Sequence, residues 1–114
     1  NLALMPDAKR ILLTYRKDDI YDNWHIPGSI LRYGETPLEA VKRVGVKELG
    51  VKIDDIEFVN FFCEPDVRGW EIVLLFKVCS RSRPKDGKYF SLNNLPKKFL
   101  KIQRPEIKFL SSIS

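Results

Sequence analysis

Residues 34–50, GETPLEAVKRVGVKELG, carry both the start and the stop of a helix, and this constrains the chain more than any other stretch. Thr36 is suited to the N-cap and Pro37 to the first helical position, and Glu39 completes a Thr-x-x-Glu capping box. Leu38, Val41 and Val44 recur on one stripe, joined near the end by Leu49, so one face needs an apolar surface to lie on. Gly50 is placed to end the helix, which is expected over 36–49. Gly45, inside it, costs about 1 kcal/mol relative to alanine, so a close approach or a tolerated defect is expected there.

Strands supply that surface. VKIDDIEFVNFFCE and WEIVLLFKVCS are rich in β-branched and aromatic residues, and they read as a hairpin around EPDVRG. NLALMPDAKRILLTYR reads as two strands around Pro6–Lys9. KDDIYDN is a polar loop, and WHIPGSILRYG is an extended segment broken at Pro27-Gly28 and closed by Gly34. After the loop SRSRPKDG, KYFSL is a short extended piece and NNLPKKFL a helical turn. RPEIKFLSSI is a terminal helix with Ile107, Leu110 and Ile113 at helical spacing. The 114 residues are expected to form one α/β domain, 1–114. Because the chain starts inside an apolar, strand-like stretch, an N-terminal piece is expected to be missing.

The longest aliphatic and aromatic run, Ile72 to Phe76, is far too short to span a bilayer. No secretory signal is visible, and a cytoplasmic location without membrane contact is expected. In the hairpin, Cys63 is expected to face residue 70 and Cys79 to face residue 54, too far apart for a disulfide. Reduced, buried thiols follow. The net charge of +5 is uneven: from Ser80 onward nine basic residues meet only Asp86 and Glu106, giving +7 there and −2 before it. That basic third points to an anionic partner (nucleotide, RNA or acidic protein) or to a solvated face.

The order of strand, Trp24-x-x-Pro27-Gly28 loop, Gly34-Glu35, capped helix and Leu49-Gly50 resembles the Nudix hydrolase superfamily. Its motif ends in Arg-Glu-U-x-Glu-Glu-x-Gly-U, with U a bulky aliphatic residue and an earlier Glu. On this chain the early Glu falls on Glu35, the Arg on Arg43, the last acid on Glu48 and the closing pair on Gly50-Val51. RILLTYR and KYFSLNNLP resemble further parts of such domains, so the likeness covers most of the chain. Val44 and Lys47 replace two of the three helix glutamates, and Gly45 replaces an aliphatic residue.

The resemblance implies an α/β/α sandwich around a mixed β-sheet and divalent-metal-dependent cleavage of a nucleoside-diphosphate-linked compound. Divalent cations neutralise a pyrophosphate and orient the attacking water, and such hard ions take oxygen ligands. The GDP-mannose mannosyl hydrolase branch also lacks the two glutamates and works with a single metal, held by the last glutamate, a glycine carbonyl and a late-loop side chain. By that likeness Glu48, Gly28 or Ser29, and Glu35 would hold one Mg²⁺ or Mn²⁺, with Arg43 and Glu48 catalytic. Lys47 would bring a positive charge near the ion. In that branch a late-loop histidine is the base, but SRSRPKDGKYF contains none, and Asp86 is its only acid. Arg16 and Trp24 are substrate-binding candidates, by phosphate pairing and base stacking, although a solvent-facing Arg16 and a packed Trp24 fit equally. Arg43 is expected to pair with Glu48 or Glu35, and His25 to be a packed strand residue. Homodimers are common in the superfamily, but no interface signature stands out here. Two functions stay open: an NDP-sugar-type hydrolase, or a non-catalytic module binding nucleotide, RNA or protein.

Overall fold

The computed structural model describes residues 1–113. Strands β1 (Leu2–Leu4), β2 (Arg10–Lys17) and β3 (Asp22–His25) precede helix α1 (Pro37–Val44), which runs on as a π-helical turn, Gly45–Leu49. Then come β4 (Asp55–Asp66), β5 (Gly69–Cys79), β6 (Lys88–Ser91), a 3₁₀ turn (Lys101–Gln103) and α2 (Arg104–Ser112). The β layer is two three-stranded sheets, β1-β5-β4 and β3-β2-β6. β1 runs parallel to β5 and the other pairings are antiparallel, which makes the layer mixed.

Side-chain alternation sorts the core into two faces. Leu2, Leu4, Leu12, Phe76 and Val78 meet Val41, Val44 and Leu49 of the first helical segment. Ala3, Met5, Ile11, Leu13 and Leu75 meet Ile107 and Leu110 of α2 on the other side. This is the expected α/β/α arrangement, with a helix on each side of the β layer.

Some local expectations are corrected. β1 and β2 flank the Pro6–Lys9 turn but join different sheets, and Asp7 holds the turn by accepting from Lys9 N and Arg10 N at 2.8 and 3.0 Å. The β4–β5 tip forms one residue later than expected, at Val67-Arg68, so Cys63 faces Ile72 rather than residue 70. A bulge between Phe58 and Asn60 then brings Cys79 opposite Asp55 instead of residue 54. Both thiols are free, and both are exposed rather than buried. Leu38 is 52% exposed and stands off the stripe completed by Val41 and Val44. NNLPKKFL forms turns and two isolated bridges, not a helical turn, with Asn94 bridging to Ser91 and Phe99 to Trp24.

Gly45 meets its expectation. A Cβ there would lie 2.7 Å from the Ile53 side chain, and the backbone changes from α to π winding at that residue. Gly50 has φ of 66°, in the left-handed region, and its N–H donates to Gly45 O to close the wide turn.

Candidate functional site

The site begins with the capping chemistry of α1. Thr36 Oγ1 accepts from Glu39 N at 3.2 Å, and Glu39 Oε1 accepts from Thr36 N at 3.1 Å, so the helix start is fixed against the preceding loop. One turn on, Arg43 reaches back over that loop. Its Nε donates to Glu35 Oε2 at 2.8 Å and its Nη2 to Glu35 Oε1 at 2.9 Å, a two-pronged pair. The same guanidinium donates to Ser29 Oγ at 3.2 Å and Ile30 O at 3.1 Å. The Arg43 and Glu35 side chains are only 14% and 13% exposed. Bonding to Arg43, with a further bond from Arg32 N, holds the Glu35 carboxyl down at about 2. Of the two partners expected for Arg43, Glu35 is the one it takes.

Ser29 and Ile30, which this latch holds, line a cleft of about 920 Å³, while Arg43 and Glu35 themselves do not. Gly28, Ser29, Val44, Glu48, Arg16 and His25 all line it, while Trp24 and Lys47 do not. Lys47 and Glu48 are both exposed on the π turn, but only Glu48 lines the cleft, so the lysine is not a charge within it. Loss of hydration pushes the Glu48 carboxyl up, the charges of Arg43 and Arg16 pull it down, and Asp86 pushes it up again. Asp86 belongs to the late loop, which docks on the helix end: Lys85 N donates to Leu49 O at 2.8 Å, and the Lys85 stem lies over Gly50.

His25 Nδ1 lies 2.9 Å from Ile26 O, and its Nε2 lies 3.3 Å from Thr14 Oγ1. Nδ1–H donating to the carbonyl leaves Nε2 to accept from the hydroxyl. Burial lowers its pKa, which favours the neutral ring. Arg16 sits over the Tyr21 ring at 4.6 Å and donates to Asp18 Oδ2 at 2.6 Å, and it lines the cleft with Tyr21. Trp24 packs edge-on between Tyr15 and Phe90.

The far end of the cleft was not anticipated from the sequence. Glu64, Asp66, Arg68, Glu71 and Gln103 line it. Asp66 accepts from Tyr21 Oη and Arg68, which hold its carboxyl at about 2. Glu64 is 7% exposed and Glu106, beneath it, is fully buried, and Oε2 of each has no hydrogen-bond partner among the described residues. Burial pushes Glu64 up to about 6 and Glu106 to about 7. The sequence places Glu64 in the turn EPDVRG; with the tip at Val67-Arg68 it is a strand residue opposite Glu71.

The donors suit a narrow kind of metal binding. Among the described residues no group of three or more His, Cys, Asp or Glu side chains could hold an ion. Both Glu35 oxygens are occupied by Arg43 and Arg32. Glu48, with water and a substrate's own phosphates, fits the way Mg²⁺ is commonly held by one or two carboxylates.

Comparisons agree with this architecture. The MutT NUDIX hydrolase from Burkholderia pseudomallei is 19% identical with a TM-score of 0.81, covering 94% of this chain and 92% of its own. The NUDIX domain of Shewanella oneidensis NrtR, solved with ADP ribose, is 17% identical with a TM-score of 0.71, covering 98% and 82%. A UDP-X diphosphatase is 19% identical with a TM-score of 0.77, covering 98% of this chain but 59% of its own. No curated protein matches the sequence closely enough to count as a relative. The NUDIX domain model matches residues 2–109, so the chain belongs to the NUDIX domain family.

Proposed function

We propose that this NUDIX domain hydrolyses a nucleoside diphosphate derivative, an NDP-sugar being the first class to test, with one divalent cation, Mg²⁺ or Mn²⁺. The observation that carries the reading is the placement of Glu48. It lines a cleft of about 920 Å³, where the charges of Arg43, Arg16 and the late-loop acid Asp86 act on it. The cation would neutralise the diphosphate and lower the pKa of a water. Glu48 would hold it, with the Gly28-Ser29 turn next to it. Arg16 would take a diphosphate oxygen, and Arg43 acts as a positioning residue that fixes the turn. Asp86, whose charge acts on Glu48, and the neutral His25, which lines the same cleft, are candidates to accept a proton. A diphosphatase and an ADP-ribose complex among the structural neighbours agree with a pyrophosphate-linked substrate.

The test is a panel of GDP-, UDP- and ADP-linked compounds with Mg²⁺, Mn²⁺ or neither, run in ¹⁸O-water. Label in the sugar would mark attack at carbon, as in the GDP-mannose branch, and label in the phosphate would mark attack at phosphorus. Turnover that persists in chelator would overturn the metal assignment.

Val44, buried in the cleft wall where the motif has a glutamate, favours a second reading: a module that binds a nucleotide without cleaving it. Saturable nucleotide binding with no turnover by either ion would select it. The basic third from Ser80 adds RNA as a ligand of that second reading. Its affinity would then fall linearly in log K against log salt, whereas a nucleotide held in the cleft would respond only weakly.

A further inference from the structure

A groove of about 600 Å³ runs between α2 and the loop that follows β6. Leu92, Leu95 and Ile107 give it an apolar floor. Its loop wall is held by backbone bonds: Leu92 N donates to Lys9 O at 2.8 Å and Asn94 N to Ser91 O at 3.0 Å. The groove is therefore formed before anything enters it, which lowers the cost of binding. Arg104, Lys108 and Ser111, spaced four and then three residues apart, share one face of α2 and make the helical wall. Glu106, on the opposite face of the helix, is fully buried, and no acidic side chain lines the groove. The two cations lack partners. Arg10, Arg16, Arg43 and Arg68 each pair with a carboxylate of this chain. The side chains of Arg104 and Lys108 make no ion pair or hydrogen bond among the described residues.

We propose that this groove docks an acidic helical segment of another protein, with an apolar side chain on the floor and carboxylates on Arg104 and Lys108. Charge complementarity selects the partner, since two unpaired cations flank the apolar floor and no acid repels a carboxylate. Spacing selects its shape. Arg104 and Lys108 are about 6 Å apart along the axis, the rise of four helical residues. Carboxylates at i and i+4 of a docked helix match them, and an apolar residue at i+3 falls on the same face. Nucleic acid fits less well, because the floor is aliphatic and offers no aromatic ring on which a base could stack. The inference does not depend on the hydrolysis reading, because the groove and the cleft share no lining residue.

The test titrates ¹⁵N-labelled protein, without nucleotide or metal, with an alanine-based helical peptide carrying Glu at i and i+4 and Leu at i+3. Saturable binding below about 1 mM is expected, with amide shifts gathered in residues 92–95 and 104–111 and absent at Ser29 and Glu48. Changing the peptide's Leu to Ala should weaken binding about 10-fold, and changing both Glu to Gln about 5-fold. Arg104→Glu with Lys108→Glu, both at exposed positions, should weaken it at least about 10-fold. A single-stranded RNA oligonucleotide should not displace the peptide. No saturable binding by about 1 mM would overturn the proposal, as would shifts centred on the cleft. Binding unchanged by either peptide replacement would overturn it too, and these decide should the charge-reversed protein fail to fold. Displacement of the peptide by RNA would assign the surface to nucleic acid instead.

Discussion

Arg43 spends one guanidinium on Glu35, Ser29 and Ile30, and so ties residues 29–35 to the helix that carries Glu48. Arg43→Lys keeps the charge but cannot make the two-pronged bond. Faster amide exchange across residues 29–35, and weaker nucleotide binding with α2 exchange unchanged, is the expected outcome. Unchanged exchange in that loop would mean the latch is dispensable. Glu106 behaves in the opposite sense to Glu35. Its pKa is raised by burial to about 7, and that of Glu64 to about 6, so the folded state prefers their protonated forms. Stability should therefore rise as pH falls from about 8 towards the ordinary glutamate value near 4.5. Below that it should fall, as Glu35 and Asp66, both held near 2, are forced to take protons. Glu106→Gln should remove most of the rise, raising stability at pH 8 by about 1–2 kcal/mol. Thermal melts from pH 4.5 to 8 check this, and a flat wild-type profile would contradict it.

At the scale of elements, what was legible in the sequence was what local chemistry decides. Thr36, Glu39 and Gly50 define α1 and its end because capping needs only neighbouring residues. The α-to-π change was not legible, since Gly45 signals a close approach without saying that Ile53 makes it. Only Glu48 of the neighbouring pair Lys47 and Glu48 lines the cleft, which helical spacing alone does not tell. The hairpin register depended on where two residues at its tip turned, and a bulge reset it again. Gly45→Ala should cost about 1–3 kcal/mol through overpacking against Ile53. Gly50→Ala should cost a similar amount, because it strains a left-handed residue under the Lys85 stem. Denaturant melts measure both, and a neutral Gly50→Ala would mean the late loop is not docked on the helix end.

For the whole molecule, the layered fold follows from alternation in β1, β2 and β5, each feeding apolar side chains to both helical layers. The site was half legible. Arg43, Glu35, Ser29, Glu48 and Arg16 were named from the motif and its flanks; Ser29, Glu48 and Arg16 line one cleft, and the Arg43–Glu35 pair sits behind it holding Ser29. Glu64, Asp66, Arg68 and Gln103 were not, because burial at the far end depends on α2 and the hairpin packing across the chain. Trp24 shows the converse: an aromatic in a plausible binding stretch spends its ring on Tyr15 and Phe90.

The most direct test of the proposed hydrolysis compares wild type with Glu48→Gln on the best substrate of the nucleotide panel, titrating Mn²⁺ and Mg²⁺. Glutamine keeps the size and hydrogen bonding but removes the only carboxylate on the cleft-facing helical segment. The expected result is a loss of at least about 100-fold in kcat/KM, roughly 3 kcal/mol of transition-state stabilisation, together with weaker dependence on the ion and an unchanged melting profile. A folded Glu48→Gln protein that keeps the wild-type rate and ion dependence would contradict it.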